Sequence, residues 1–211
     1  MNKRLRLISG REQLILSPTD GNDTLARATD VFGYIDSNFK NWACDVEGQG
    51  TEETPVQVYE MVENITLHEM FDGFEVETDH LSLTQAQIKQ FVKRYPDWLK
   101  KGGNGTFFLF KVGSELFVAA VYFFSDGRLG VRARRFSLDR IFLAKKRHRL
   151  VVPQVGAQIV ISRHISAESS SRFSQLLLFN GESSIRSGNL IPRATPSPNA
   201  CFRSIACEII P

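Results

Sequence analysis

Apolar and polar positions follow two periods along this chain, and the period changes near residue 105. In Thr84-Gln85-Ala86-Gln87, Thr can cap a helix and Gln three residues on can return the hydrogen bond. Ile88, Phe91, Val92 and Tyr95 then recur at helical spacing, and Pro96 closes the segment. Thr54-Pro55-Val56-Gln57 has the same form, with Val58, Tyr59 and Val62 on one face, and predicts a helix starting there. Thr66 to Phe71 predicts a further turn of helix, ended by Asp72-Gly73. A short helix is expected from Asn22 or Asp23 to about Phe32, with Leu25, Ala28, Val31 and Phe32 on one side. Residues 2–8 and 12–17 read as short strands.

After Lys100-Lys101-Gly102-Gly103-Asn104-Gly105 the period becomes that of strands. Thr106–Lys111, Leu116–Ser125 and Arg128–Phe136 form an expected meander, with the hairpin signal Asp126-Gly127 between the last two. Residues 149–152 predict a fourth strand before Pro153. Helices followed by strands imply an α+β fold: an antiparallel sheet with two or three short helices packed on it. One domain is expected over residues 1–153. Residues 154–211 differ, with 11 Ser and neither Lys nor Asp. They read as a C-terminal extension, with strands expected at Gln158–Ile165 and Phe173–Phe179 and a stiff connector at Ile191–Asn199.

The most apolar stretch, Thr106 to Phe124, is long enough to cross a membrane. Lys111, Gly113, Ser114 and Glu115 at its middle argue for two strands joined by a turn instead. The basic N-terminus lacks the apolar run of a signal peptide. Cys44, Cys201 and Cys207 have neither zinc nor redox spacing. A cytoplasmic protein that uses no membrane is expected.

The net charge of +3 hides a segregation. Residues 12–80 carry 16 acids against Arg27 and Lys40, whereas residues 81–150 carry 15 bases against Asp97, Glu115, Asp126 and Asp139. Such asymmetry points to a polyanion surface on the basic part, or to two halves that neutralise each other, which is the plainer expectation. In Arg128-Leu129-Gly130-Val131-Arg132-Ala133-Arg134 the apolar and basic positions alternate strictly, so Arg128, Arg132 and Arg134 share one strand face. Arg135 follows, and Lys145, Lys146, Arg147 and Arg149 flank His148. Phosphates are bound by several Arg and Lys on one surface, with counterion release as the driving force. These eight cations are the candidate nucleic-acid-binding residues. A base-stacking platform would need some rings among Phe107, Phe108, Phe110, Phe117, Tyr122, Phe123 and Phe124 exposed beside the Arg stripe; their plainest reading is sheet core.

An acidic strand over Phe74–His80 would put Glu75, Glu77 and Asp79 on one face and offer oxygen ligands to magnesium or calcium. His68-Glu69 fails as a zinc-protease motif because residue 72 is Asp, and Asp20–Asp23 lacks the glycine and terminal acid of a calcium loop. Neither a phosphate loop nor a hydrolase elbow is present, and Cys44 reads as core. No cofactor is expected.

Ser17-Pro18-Thr19-Asp20-Gly21, Val58-Tyr59-Glu60-Met61-Val62, Leu83-Thr84-Gln85-Ala86-Gln87-Ile88, Thr106-Phe107-Phe108-Leu109-Phe110 and Arg149-Leu150-Val151-Val152-Pro153-Gln154 carry a resemblance. Residues from about 14 to 154 resemble an uncharacterised protein family of small-genome candidate-phyla bacteria. The resemblance implies no activity and transfers no functional residue. The expectation is a non-enzymatic interaction module with a basic sheet surface, binding a nucleic acid or an acidic protein. The alternative is a metal-dependent hydrolase or nuclease using the acidic strand.

Overall fold

The apolar stretch 106–124 forms the middle of a sheet that is covered on both faces. The computed structural model describes residues 3–154 apart from Glu75 and Gly103. The expected strands and connector beyond Gln154 lie outside these residues. In chain order the strands are β1 (Leu5–Leu7), β2 (Leu14–Leu16), β3 (Tyr34–Ile35), β4 (Thr54–Met61), β5 (Thr106–Val112), β6 (Glu115–Phe123), β7 (Leu129–Arg135) and β8 (Arg149–Pro153). The α-helices among the described residues are α1 (Asn38–Asn41), α2 (Leu67–Asp72) and α3 (Gln85–Arg94). All belong to one compact unit, Met1–His164. None of these helices is long and apolar enough to cross a membrane.

The sheet order is β1-β4-β8-β5-β6-β7-β3, with β2 also paired to β4. The fold is α+β as expected, but the sheet is mixed. The β5–β8 and β3–β7 pairs are parallel and the others antiparallel. The last strand therefore inserts between β4 and β5, which a meander alone does not produce.

Strict alternation on β5 divides the core in two. Phe108 and Phe110 face α3 and pack with Ile88, Phe91 and Val92, while Phe107 and Leu109 face α2 and pack with Leu67, Met70 and Phe71. A strand buried on both faces reads as continuous apolar sequence, which explains Thr106–Phe110.

The capped helix expected at Thr84 and the helical turn expected from Thr66 both form, and Thr66 also proves to be a cap. Thr84 Oγ1 accepts from the Gln87 amide and the Gln87 side chain accepts from Thr84 N–H; Thr66 and Glu69 do the same for α2. The helix expected at Thr54 does not form. Val56 and Val58 alternate into the α3-side core, and the segment pairs with β1, β2 and β8, so period-2 burial overrides a helix-like start. The helix expected through Phe32 shrinks to a 3-10 turn at Leu25–Arg27, with no side-chain cap at Thr24. Among the described residues the acidic strand does not form either: Thr78–Leu81 is a 3-10 turn.

Candidate nucleic-acid interface

The β6–β7 hairpin and β3 build the site. Phe124 N–H donates to the Arg128 carbonyl at 2.8 Å, closing a three-residue loop whose Gly127 has φ +81°. Asp126 fixes this loop by accepting from Arg128 N at 3.0 Å and Arg128 Nε at 2.6 Å. Beyond it, Gly130 on β7 lies opposite Tyr122 on β6 and Tyr34 on β3. A Cβ at residue 130 would come within 2.9 Å of the Tyr122 and Phe124 rings, so glycine is what lets aromatic side chains close over the strand.

The rings of Tyr34 and Phe124 meet edge to face at 5.9 Å, and those of Tyr122 and Phe124 at 5.1 Å. Tyr34 is 41% exposed, and Tyr122 and Phe124 are half-buried. The Arg132 guanidinium lies 4.9 Å from the Tyr122 ring centroid and 5.8 Å from that of Tyr34, and its Nε donates to Tyr122 Oη at 3.0 Å. Arg128 lies 5.9 Å from the Phe124 centroid. Burial pushes the Tyr122 phenol up, against the opposing pull of Arg132. The result is a platform of three rings flanked by two guanidiniums at the β3 edge of the sheet.

The eight cations singled out in the sequence do not share one surface. Arg132 lies opposite Ala120 and Arg134 opposite Val118, both on the α2 side. Arg135 points to the other side, where it stacks 5.1 Å over Trp42 and lies 3.7 Å from Glu115. Arg149 shares its strand face with Val151 on the α3 side, and β8 is three strands from β7, roughly 14 Å at sheet spacing. Arg147 reaches Glu60 at 3.6 Å. Lys145 and Lys146 are exposed in a 3-10 turn and their side chains, like that of Arg134, make no ion pair or hydrogen bond among the described residues.

The acidic segment pairs with other partners. Glu69 binds Arg4, Glu47 binds Arg27, Asp23 and Asp30 bind Lys89, Asp79 binds Lys111, and Glu60 takes Arg6, Lys100 and Arg147. None of these acids pairs with Arg128, Arg132 or Arg134. Of the acids named for a metal site, Asp72 pairs with His68, Asp79 with Lys111 and Glu77 lies 3.9 Å from His80, while Glu75 lies outside the described residues. Among the described residues no group of three His, Cys, Asp or Glu side chains could hold a metal. Cys44 is fully buried, and desolvation pushes its thiol up to about 11, so it is no nucleophile at neutral pH.

The sequence reading missed Tyr34 as a site residue and placed Tyr122 and Phe124 in the core. One signal was available, the glycine inside an Arg-rich strand, which marks a close approach by other groups. No family model matches the chain, and neither a curated protein nor a solved structure does.

Proposed function

We propose that this protein is a non-enzymatic, cytoplasmic module that binds single-stranded nucleic acid on the β6–β7–β3 platform. One observation carries the reading. Tyr34, Tyr122 and Phe124 stand part-exposed beside Arg128 and Arg132, with Arg134 further along the same strand face, and among the described residues no acid of the 12–80 segment pairs with these arginines. Bases stack on rings whatever their identity, and arginines contact the phosphates between them. Paired double helix fits less well, because the longest helix among the described residues, α3, has ten residues and packs its apolar face on the sheet core.

The test is fluorescence anisotropy with a labelled oligo-dT over a salt series. Tyr34→Ala is expected to weaken binding by about 1–3 kcal/mol, roughly 5- to 150-fold. Arg132→Gln should lower the salt slope by about 0.7, the value of one single-strand phosphate contact. No binding at low salt, or binding that Tyr34→Ala leaves unchanged, overturns the reading. Equal competition by polyglutamate would transfer it to an acidic protein partner.

A further inference from the structure

Arg147 and Arg149, together with Arg6 and Lys100, gather around a single carboxylate, Glu60. Register places Arg6 of β1 opposite Glu60 of β4, and Glu60 opposite Arg149 of β8, so the three side chains form a row on the α3 face. Glu60 keeps only 7% of its side chain exposed. Arg6 Nη2 donates to its Oε1 at 2.7 Å. Lys100 follows the 3-10 turn Pro96–Trp98 and is anchored by its own amide, which donates to Thr106 Oγ1 at 2.8 Å. Its Nζ lies 3.6 Å from Glu60 Oε2, on a side chain only 20% exposed. Arg147 Nε lies 3.6 Å from Glu60 Oε1. These two separations are ion pairs and exceed hydrogen-bond length, so Lys100 and Arg147 keep donors uncommitted.

Two details set this cluster apart from a plain salt-bridge network. Arg147 adopts φ 48° and ψ 48°, the left-handed region that a residue with a Cβ rarely enters, and from there its guanidinium reaches Glu60. Arg149 donates Nη1 to the carbonyls of Asp97 and Leu99, yet its Nε is buried with no hydrogen-bond partner. A buried N–H of a cation without an acceptor is costly unless an anion completes it. Among the described residues, four cations here face one carboxylate, an excess of three positive charges.

We propose that Lys100, Arg147 and Arg149, with Arg6 at the rim, form a binding site for a phosphoryl group, the tetrahedral dianion of a phosphate monoester. Its oxygens take the uncommitted donors, and Arg supplies the forked geometry that phosphate favours. Glu60 organises the cations and also repels the ligand. That gives the proposal a signed consequence: removing the carboxylate raises phosphate affinity, whereas a purely structural network gains nothing.

The test measures the thermal midpoint at fixed ionic strength and pH as chloride is replaced by inorganic phosphate. The natural chain is expected to gain stability with phosphate. Glu60→Gln should gain more, with an apparent affinity at least tenfold tighter. Arg147→Gly should bind at least tenfold more weakly while folding normally, because glycine accepts the left-handed backbone. Lys40→Ala, an exposed cation on α1 outside both sites, should leave the response unchanged. No phosphate-specific gain in either the natural chain or Glu60→Gln overturns the proposal. So does a gain that Arg147→Gly retains in full, since the ion then binds elsewhere. Two further arms, adenosine 5′-monophosphate against adenosine and a 5′-phosphorylated oligonucleotide against its 5′-hydroxyl form, separate a free nucleotide from a nucleic-acid end as the source.

Discussion

His148 shows how much a single side chain can be constrained by its surroundings. Its ring stacks on Phe107 at 5.0 Å and meets Phe142 edge to face at 5.3 Å. Nδ1 lies 3.0 Å from the Gly105 amide and 3.3 Å from the Gly105 carbonyl. The neutral ring therefore accepts from the amide, with its proton on Nε2, and a protonated ring would turn to the carbonyl. Burial dominates and holds the pKa below the ordinary 6.5, helped by Lys146, Lys100 and Arg140 nearby. The unfolded chain then takes up a proton before the folded one does. Stability from this residue is fully present above about pH 6.5 and falls as the pH drops towards the folded value. Chemical denaturation across pH 8 to 5 should show that fall. His148→Asn, which offers an amide oxygen near the Nδ1 position and does not titrate, should flatten it. An unchanged profile in the variant would assign the pH dependence to other groups.

Among the elements, α3 and β4 show when local sequence decides and when it does not. Both begin with Thr and carry Gln three residues later. At Thr84 the following apolar residues recur at helical spacing and bury against Phe108, so capping and packing agree. At Thr54 the residues alternate, and three strands stand ready to pair, so the same signal is overruled. Thr54 Oγ1 is instead enlisted by α3, accepting from Gln87 Nε2 at 2.9 Å. Removing the Thr84 hydroxyl with Thr84→Ala should cost about 1 kcal/mol, the usual value of an N-cap. In a domain of this size that is a fall of about 2–4 °C in Tm. A fall no larger than that of an exposed control such as Ser125→Ala would mean that the cap contributes nothing. The hairpin at Asp126-Gly127 was legible for the opposite reason from β4: its turn chemistry is local and complete within five residues.

At the scale of the whole molecule, the least legible feature is the position of β8. Strand identity is written in the continuous apolar run Leu150-Val151-Val152, but pairing partners are not, because a buried apolar strand fits any gap in a sheet. The candidate site suffered similarly. The arginine alternation on β7 was visible, yet the parallel addition of two-residue β3, which brings Tyr34 to the platform, leaves no mark in sequence. In the folded protein β8 is the joint between two sub-sheets. It pairs on one side with β4, which carries β1 and β2, and on the other with β5, which leads to β6, β7 and β3. Val151 faces Val58 and Phe108 across these two ladders and is fully buried. Val151→Pro removes a central backbone donor and should cost about 3 kcal/mol or more. Val151→Ala loses only side-chain packing and keeps the donor. Hydrogen exchange separates the two. In Val151→Pro the amides of β1 and β4 should lose protection before those of β5 and β6, whose mutual ladder stays intact, whereas Val151→Ala should lower protection evenly across the sheet. Even loss in both variants would show that the two sub-sheets are held together by the flanking cores, with β8 only filling the gap between them.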